Sequence, residues 1–423
     1  MAHHGARPTC CHLAAIACVL IVALLVPAAT AGAQASAPSE PITIGVLAPI
    51  TGPFAAFAKD IVDGARLYSD DGKGQIGGRK LNLIVEDYAV KPDVALTKIR
   101  KLVERDRAHA VVGIVLSSAA LAVKDYVNTQ KVPLLISGFA VAEGLTLQQN
   151  PYVFRLTYSG SMTGAPIGQW AYKTLKARRA AIIASDSVGP IEIIMAWARA
   201  FEESGGKVVQ EIYAPLGTAD FAPYIAQLRK DVDVIGVQTV GADGVRFVQQ
   251  FQEFGLKGKI PLVDASVGFS DVSLLPAAGD AAVGGYNSQP YQYTLDTPRN
   301  RKFVQAFRAK FGRDPGCPAA FTYAALTAIE QAAKATGGNP EDSAKFLDAL
   351  RKTDIEAPQG RVRFDRFQNV VTDIYISRID KVGGQVVPVV IDTVRGVDQF
   401  LGADPAEYLK KPRLVNLKGT FGK

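Results

Sequence analysis

The sequence predicts an α/β fold of two similar lobes, each built on a parallel sheet. Two observations carry the prediction. Short apolar runs alternate with amphipathic stretches of about 10–15 residues, the pattern of βαβ units. That alternation also runs twice. It stops at "NPYVFRLTYSGSMTG", Asn150 to Gly164, and then begins again.

In the first pass an apolar strand, Ile42 to Leu47, leads into a loop with Pro49, Gly52 and Pro53. The helix that follows carries Ile61, Ala65 and Tyr68 at i, i+4 and i+7, one face of a 3.6-residue period. "GRKLNLIVEDYAV" reads as the next strand. A helix from about Pro92 places Ala95, Ile99 and Leu102 together, and proline suits a first helical turn. Then come a strand from Val111 to Leu116, a helix from about Ala119 to Thr129, and the strand "VPLLIS". The second pass begins with "RRAAIIASDSVGPIEIIMAWARAFEESGGKVVQEIYAP", read as strand, loop, helix, Gly-Gly and strand. "DVDVIGVQTVGADGVRFVQQFQEFG" repeats it, and "KIPLVDASVGFS" adds a strand. Helices near Arg299–Phe311 and Ala319–Lys334 have no place in the second lobe's count.

The chain begins with a segment foreign to such a domain. Arg7 is followed by the apolar run "LAAIACVLIVALLV", Leu13 to Val26, and then by small residues. That order is a secretory signal peptide, residues 1–33, with cleavage after Ala31-Gly32-Ala33 and Ala35 as the second choice. A retained membrane anchor is the alternative, but the run is short of the ~20 residues that span a bilayer. The mature chain of about 390 residues suits two or three domains. It keeps Cys317 alone of four cysteines and His109 alone of four histidines. An intramolecular disulfide is therefore impossible. A zinc site or a Ser-His-Asp triad has too few residues to draw on, so neither metal nor cofactor is expected. Loss of Arg7 leaves 46 basic residues (47 less one) against 40 acidic. The charges are interspersed, which argues against nucleic-acid binding.

Tempting motifs fail on context. "GKGQIG", Gly72 to Gly77, fits the G-x-G-x-x-G spacing but follows a helix and precedes a strand, the reverse of a dinucleotide fingerprint. It reads as a turn with positive φ. No phosphate loop and no G-x-S-x-G elbow occurs. "VVGIVLSSAAL", Val111 to Leu121, ends a buried strand in two serines. They could serve as a nucleophile, as a clamp for a small ligand, or as a helix cap. In open α/β sheets ligands bind beyond the carboxyl ends of the strands, where helix N-termini favour anions. That position favours the clamp.

"ITIGVLAPITGPFAAFAKDIVDGARL", "GGRKLNLIVEDYAVKPDVALTKIRKLVERDRAHAVVGIVLSSAALAV" and "VPLLIS", in that order, resemble the bacterial branched-chain amino-acid-binding proteins. The likeness continues through "YVFRL", "GTADFAPYIAQL", "GLKGKIPLV" and "FTYAAL". The resemblance implies the type I periplasmic binding fold: two Rossmann-like lobes joined by a three-stranded hinge. It implies a monomeric periplasmic receptor that closes on a small ligand, docks on the membrane permease of an ABC importer and performs no chemistry. It places lobe 1 at residues 41–157 plus about 285–368, and lobe 2 at about 158–284 plus 369–423.

The resemblance also assigns a site. Ser117 matches a serine that holds the ligand carboxylate, with Ser118 as backbone donor and helix cap. The loop Phe139-Ala140-Val141 matches one whose N–H groups assist. In the relatives a threonine stands at Val141, an acidic residue at Val267 and an aromatic at Val188. A second aromatic gives way to small residues around Val240 and Gly241. Asp264 lies three residues before the acidic position. The carboxylate half of the site is thus kept and the ammonium half lost. Phe57, Phe139, Val188 and Val267 suit an aromatic or aliphatic carboxylic acid. The alternatives are a branched-chain amino-acid receptor, a sensing module that docks on a regulator, and an exported serine hydrolase, which the lone His109 disfavours.

Overall fold

The computed structural model describes residues 40–147 and 150–422. The signal segment, with Cys10, Cys11, Cys18, His3, His4 and His12, lies outside the described residues. Among the described residues no helix is long and apolar enough to cross a membrane.

The first lobe runs β1 (Ile42–Ala48), α1 (Ala55–Asp71), β2 (Gln75–Ile76), β3 (Arg79–Asp87), α2 (Pro92–Arg100), β4 (Ala110–Gly113), α3 (Ser117–Gln130), β5 (Leu134–Ile136) and β6 (Val153–Arg155). These strands form one sheet in the order β2-β3-β1-β4-β5-β6. Every residue of β1 is buried, as expected of a strand covered on both faces. The second lobe runs α4 (Gly160–Lys173), β7 (Arg179–Asp186), α5 (Val188–Glu203), β8 (Lys207–Pro215), α6 (Ala222–Gln227), β9 (Val234–Gln238), α7 (Ala242–Glu253), β10 (Leu262–Asp264), α8 (Leu275–Ala278) and β11 (Tyr286–Gln289). Then come α9 (Pro298–Phe311), α10 (Cys317–Ala335), α11 (Ser343–Arg351), β12 (Asp354–Ala357), β13 (Gly360–Phe364), β14 (Val370–Val382) and β15 (Gln385–Val397). α9 and α10 pack on α1, so this segment covers the first sheet.

Both sheets are parallel at the centre, as expected, and mixed at an edge: β2 pairs antiparallel with β3 in the first. β7 to β11 are parallel, but β11 pairs antiparallel with β14, and β14 with β13 and β15. The reason is length. β14 is 13 residues long, and a tight Gly383-Gly384 turn, both at positive φ, sends β15 straight back along it. Three passages join the two parts: β6 leads from the first sheet to α4, β11 leads to α9 and α10 on α1, and β12 and β13 lead back to β14, with which β13 pairs. Two of these passages lie side by side, since Arg155 N donates to Gln368 O at 2.9 Å.

One local departure matters for the site. The strand expected to reach Leu116 ends at Gly113. Gly113 has φ +116, and a Cβ there would lie 2.4 Å from Leu47 O. Ile114 follows at φ +60. The chain then turns under the Tyr88 hydroxyl, which accepts from both Val115 N and Leu116 N at 3.1 Å. α3 therefore starts at Ser117, two residues before the expected Ala119, and no side chain caps it. The cap expected of Ser118 is not made.

The rest of the frame is close packing. α4 lies so near α5 that a Cβ on Gly164 would sit 2.2 Å from Ile193 O, and one on Gly168 2.4 Å from Trp197 O. Trp197 is fully buried and stacks on Phe201 at 4.9 Å. His109 is structural: its Nδ1 accepts from Thr43 N at 3.1 Å and its Nε2 meets Glu341 Oε1 at 3.0 Å. Lys73, Gly74 and Gly77 of the glycine-rich turn take positive φ.

Gly164→Ala should lower stability by ~1–3 kcal/mol, because the added methyl cannot enter the α4–α5 seam without moving backbone. Urea unfolding checks this. An unchanged midpoint would contradict the packing described.

Candidate ligand-binding site

The carboxyl ends of β4, β5 and β6 face those of β7, β9 and β10, and the loops beyond them meet around one narrow cavity. About 480 Å³ of space lies between its walls, and little of it is wide enough for a water molecule. The lobes are therefore closed on it. A ligand here must be small and flat or must hold the lobes slightly apart. A roomier groove of about 1110 Å³, beside Lys59 and Arg313, opens to solvent.

Ser117 sits on this wall at the first turn of α3, where the leading N–H groups have no partner within the helix. Its Oγ accepts from Val141 N at 3.0 Å and from Ala142 N at 3.2 Å. A hydroxyl has two lone pairs and one hydrogen. With both lone pairs engaged, Ser117 is left as a pure donor. It can greet an acceptor such as a carboxylate oxygen, and it has no base to make it a nucleophile. Val141 N–H is spent on this bond, so it differs from the ligand-facing role the resemblance implies. Across the cleft, a Cβ on Gly189 would lie 3.0 Å from Ser117 Oγ and 3.3 Å from Val141 Cγ2. Only a residue without a side chain lets α5 close there.

Phe57, Phe139, Val141 and Val267 also border the cavity. Phe57 and Phe139 meet edge to face at 4.7 Å, and Phe139 is 6.1 Å from Tyr158. Four expected residues do not border it. Ser118 is half-buried one step along α3, and Ala140 is wholly buried behind Phe139 and Val141. Val188 packs against the core while its neighbours Ser187 and Gly189 face the cavity. Gly241, at φ +61, meets the other lobe: a Cβ there would lie 2.9 Å from Pro53 O.

Sequence reasoning missed Phe54, Tyr158 and Gln238, all on the wall. Ser266 Oγ donates to the Tyr158 hydroxyl at 2.5 Å, so the tyrosine hydrogen is free to donate in turn. Burial pushes the Tyr158 pKa well up, which keeps it protonated. Gln238 ends β9 and is wholly buried.

Among the described residues no Asp, Glu, Lys or Arg borders the cavity. Asp264, the nearest acidic candidate by sequence, turns inward. It accepts from Ser266 N, Gly268 N, Phe269 N and Ser270 Oγ at 3.1, 2.9, 3.0 and 2.6 Å. Burial raises its pKa to about 6 against those hydrogen bonds. Its lone pairs are consumed, so it is no partner for a ligand ammonium.

Behind Val141 a buried polar network links the lobes. Arg155 Nη1 donates to Val141 O at 2.5 Å. Glu192 of α5 accepts from Glu143 N at 2.7 Å, and Glu143 accepts from the Tyr408 hydroxyl at 3.1 Å and from Leu414 N at 3.1 Å. Burial raises the Glu192 pKa to about 8, Glu143 adds to the rise, and Arg155 and Arg413 oppose it.

Residues 41–385 match the family model described as periplasmic binding protein. An ABC transporter substrate-binding protein from Sphaerobacter thermophilus is 36% identical, with TM-score 0.79 over 85% of this chain and 99% of that one. A solute-binding protein of an ABC transporter from Rhodopseudomonas palustris BisB5, in complex with 3,4-dihydroxybenzoic acid, is 28% identical, with TM-score 0.80 over 84% and 98%. "Leu/Ile/Val-binding protein homolog 6" of Brucella melitensis is 28% identical over 85% of this chain and 93% of its own.

Glu192 carries a pH prediction. Its folded pKa, about 8, stands above the ordinary 4.5, so the folded state holds a proton that the unfolded state releases between those values. Stability from this group therefore falls as pH rises through that window, by up to ~1.4 kcal/mol per pH unit. Glu192→Gln, which mimics the neutral acid, should gain on the wild type steadily from pH 5 to pH 8 in thermal unfolding. A difference independent of pH would contradict the assignment.

Proposed function

The chain belongs to the periplasmic binding protein family, as an extracytoplasmic substrate-binding protein of an ABC transporter, and we propose that its ligand is a small carboxylic acid without an α-amino group. The observation that carries this reading is the cavity wall. Ser117 borders it with both hydroxyl lone pairs taken, so that only its hydrogen is left to offer, Tyr158 and other aromatic rings line it, and among the described residues no acidic side chain borders it. An ammonium group buried there without an anionic partner would cost several kcal/mol. A carboxylate meets the Ser117 hydroxyl and the positive end of α3.

Phe54, Phe57 and Phe139 make one side of the cavity an aromatic surface, on which a ligand ring gains ~0.5–1.5 kcal/mol beyond its buried area. The 3,4-dihydroxybenzoate bound by the Rhodopseudomonas palustris relative supports an aromatic acid. The name of the Brucella melitensis relative favours a branched-chain amino acid instead. The inward turn of Asp264 speaks against that reading here. The wider role that we propose, which the family supports, is export by the signal segment to the periplasm, capture as a monomer, delivery to a membrane permease, and no chemistry on the ligand. Residues 41–157 with about 285–368, and 158–284 with 369–423, are the lobes that we expect to open and close. β11 (Tyr286–Gln289), which pairs in the second sheet, shifts the second passage a few residues later.

Calorimetric titration of the mature protein should show binding of benzoate-like or phenylpropenoate-like acids. Tight binding of leucine or valine, with no response to these acids, would contradict the proposal. Ser117→Ala should weaken acid binding by about 1.5–3 kcal/mol, roughly 10- to 150-fold. The variant also strands Val141 N and Ala142 N, so its melting temperature should fall, and affinity is read well below it. Unchanged affinity would remove Ser117 from the site.

A further inference from the structure

We propose that Gln238 is a specificity residue that reads a hydroxyl group on the ligand, so that the ligand class is a hydroxylated aromatic carboxylic acid. The proposal rests on the carboxylate reading of the same cavity. Gln238 is wholly buried and borders the cavity, yet neither its Nε2 nor its Oε1 has a hydrogen-bond partner among the described residues. A buried amide left unpaired costs several kcal/mol against a solvated one, so it calls for a partner in the space that it faces. Gln359 is similarly unpaired, but it lies in the turn between β12 and β13, away from this cavity.

The chemistry of the amide selects that partner. It offers two donor hydrogens on nitrogen and two lone pairs on oxygen. A carboxylate only accepts and would face Oε1 with like charge. An ammonium only donates and would leave Nε2 unpaired. A hydroxyl does both, and it is the smallest group that satisfies both atoms of the amide.

Position agrees. Gln238 belongs to the second lobe, at the carboxyl end of β9, whereas Ser117 belongs to the first, at the start of α3. Between them stand apolar walls from Phe57, Phe139, Val240 and Val267. A ligand that spans the cavity thus meets the Ser117 hydroxyl at one end, rings and aliphatic groups along its middle, and the Gln238 amide at the other, the side on which Ser266 holds the Tyr158 hydroxyl. Each lobe would then hold one polar end, so the hydroxyl would favour closure.

The test is calorimetry on the mature protein with benzoate, 3-hydroxybenzoate, 4-hydroxybenzoate and 3,4-dihydroxybenzoate, for wild type, Gln238→Met and Gln238→Leu. At least one hydroxylated acid should bind the wild type about tenfold or more tighter than benzoate, because a site built for a hydroxyl penalises its absence. Both variants should bring that ratio to about onefold, because neither side chain can pair with a hydroxyl; the ratio, and not the absolute affinity for benzoate, is the readout. Equal affinity of wild type for benzoate and every hydroxylated acid would overturn the role of Gln238 and leave the carboxylate reading standing. So would a ratio that survives in both variants. Binding of leucine or valine with no response to any of the four acids would overturn both.

Discussion

The Ser117 hydroxyl accepting two backbone N–H groups is the contact on which the site depends. It ties the start of α3 to the loop after β5, and so fixes two of the three first-lobe walls relative to each other. It also settles the chemistry of the serine. With its lone pairs taken, the oxygen can only offer a hydrogen outward. Gly189 approaching across the cleft completes the constraint, since the second lobe closes onto this oxygen. Nothing larger than a hydrogen fits there without prising the lobes apart.

A cavity without charged side chains follows from the same economy. Closing two lobes over a buried Asp or Arg would demand an exact counter-ion in every ligand, because an unpaired charge in low dielectric is costly. A hydroxyl and a helix terminus stabilise an anion with dipoles that need no counter-ion when the lobes part. The charges that join the lobes are kept behind the wall instead. There Arg155, Glu143 and Glu192 are tied to backbone groups and to the C-terminal segment around Tyr408 and Leu414.

Much of this was legible because two periodicities alternate in the chain. Strands covered on both faces must be continuously apolar and crossover helices must be amphipathic, so the doubled lobe can be read without coordinates. Ser117 was legible for a related reason, since a polar residue ending an apolar strand stands at the binding edge of such a sheet. Gln238 ends "VIGVQ" with the same signal, and the rule applied to every strand end would have found it. Tyr158 was hidden in the passage between lobes, where no period applies. Phe54 was hidden because it precedes its helix. The shortened β4 was illegible, since the positive φ of Ile114 depends on the Tyr88 hydroxyl, a contact 26 residues away in sequence from Ile114 that no local pattern announces. The expected cap by Ser118 failed with it. Val188 and Gly241 were placed by likeness to relatives, and a step of one residue is enough to turn a side chain from a cavity into a core.

The central claim is that this cavity holds a carboxylate and rejects an ammonium. The most direct measurement compares two ligands that differ in nothing else: 3-phenylpropanoate and phenylalanine, titrated into the mature protein at neutral pH. The account predicts that 3-phenylpropanoate binds and that phenylalanine binds at least about tenfold more weakly, the amino group finding no anionic partner. Phenylalanine binding as tightly as the unsubstituted acid, or more tightly, would contradict it.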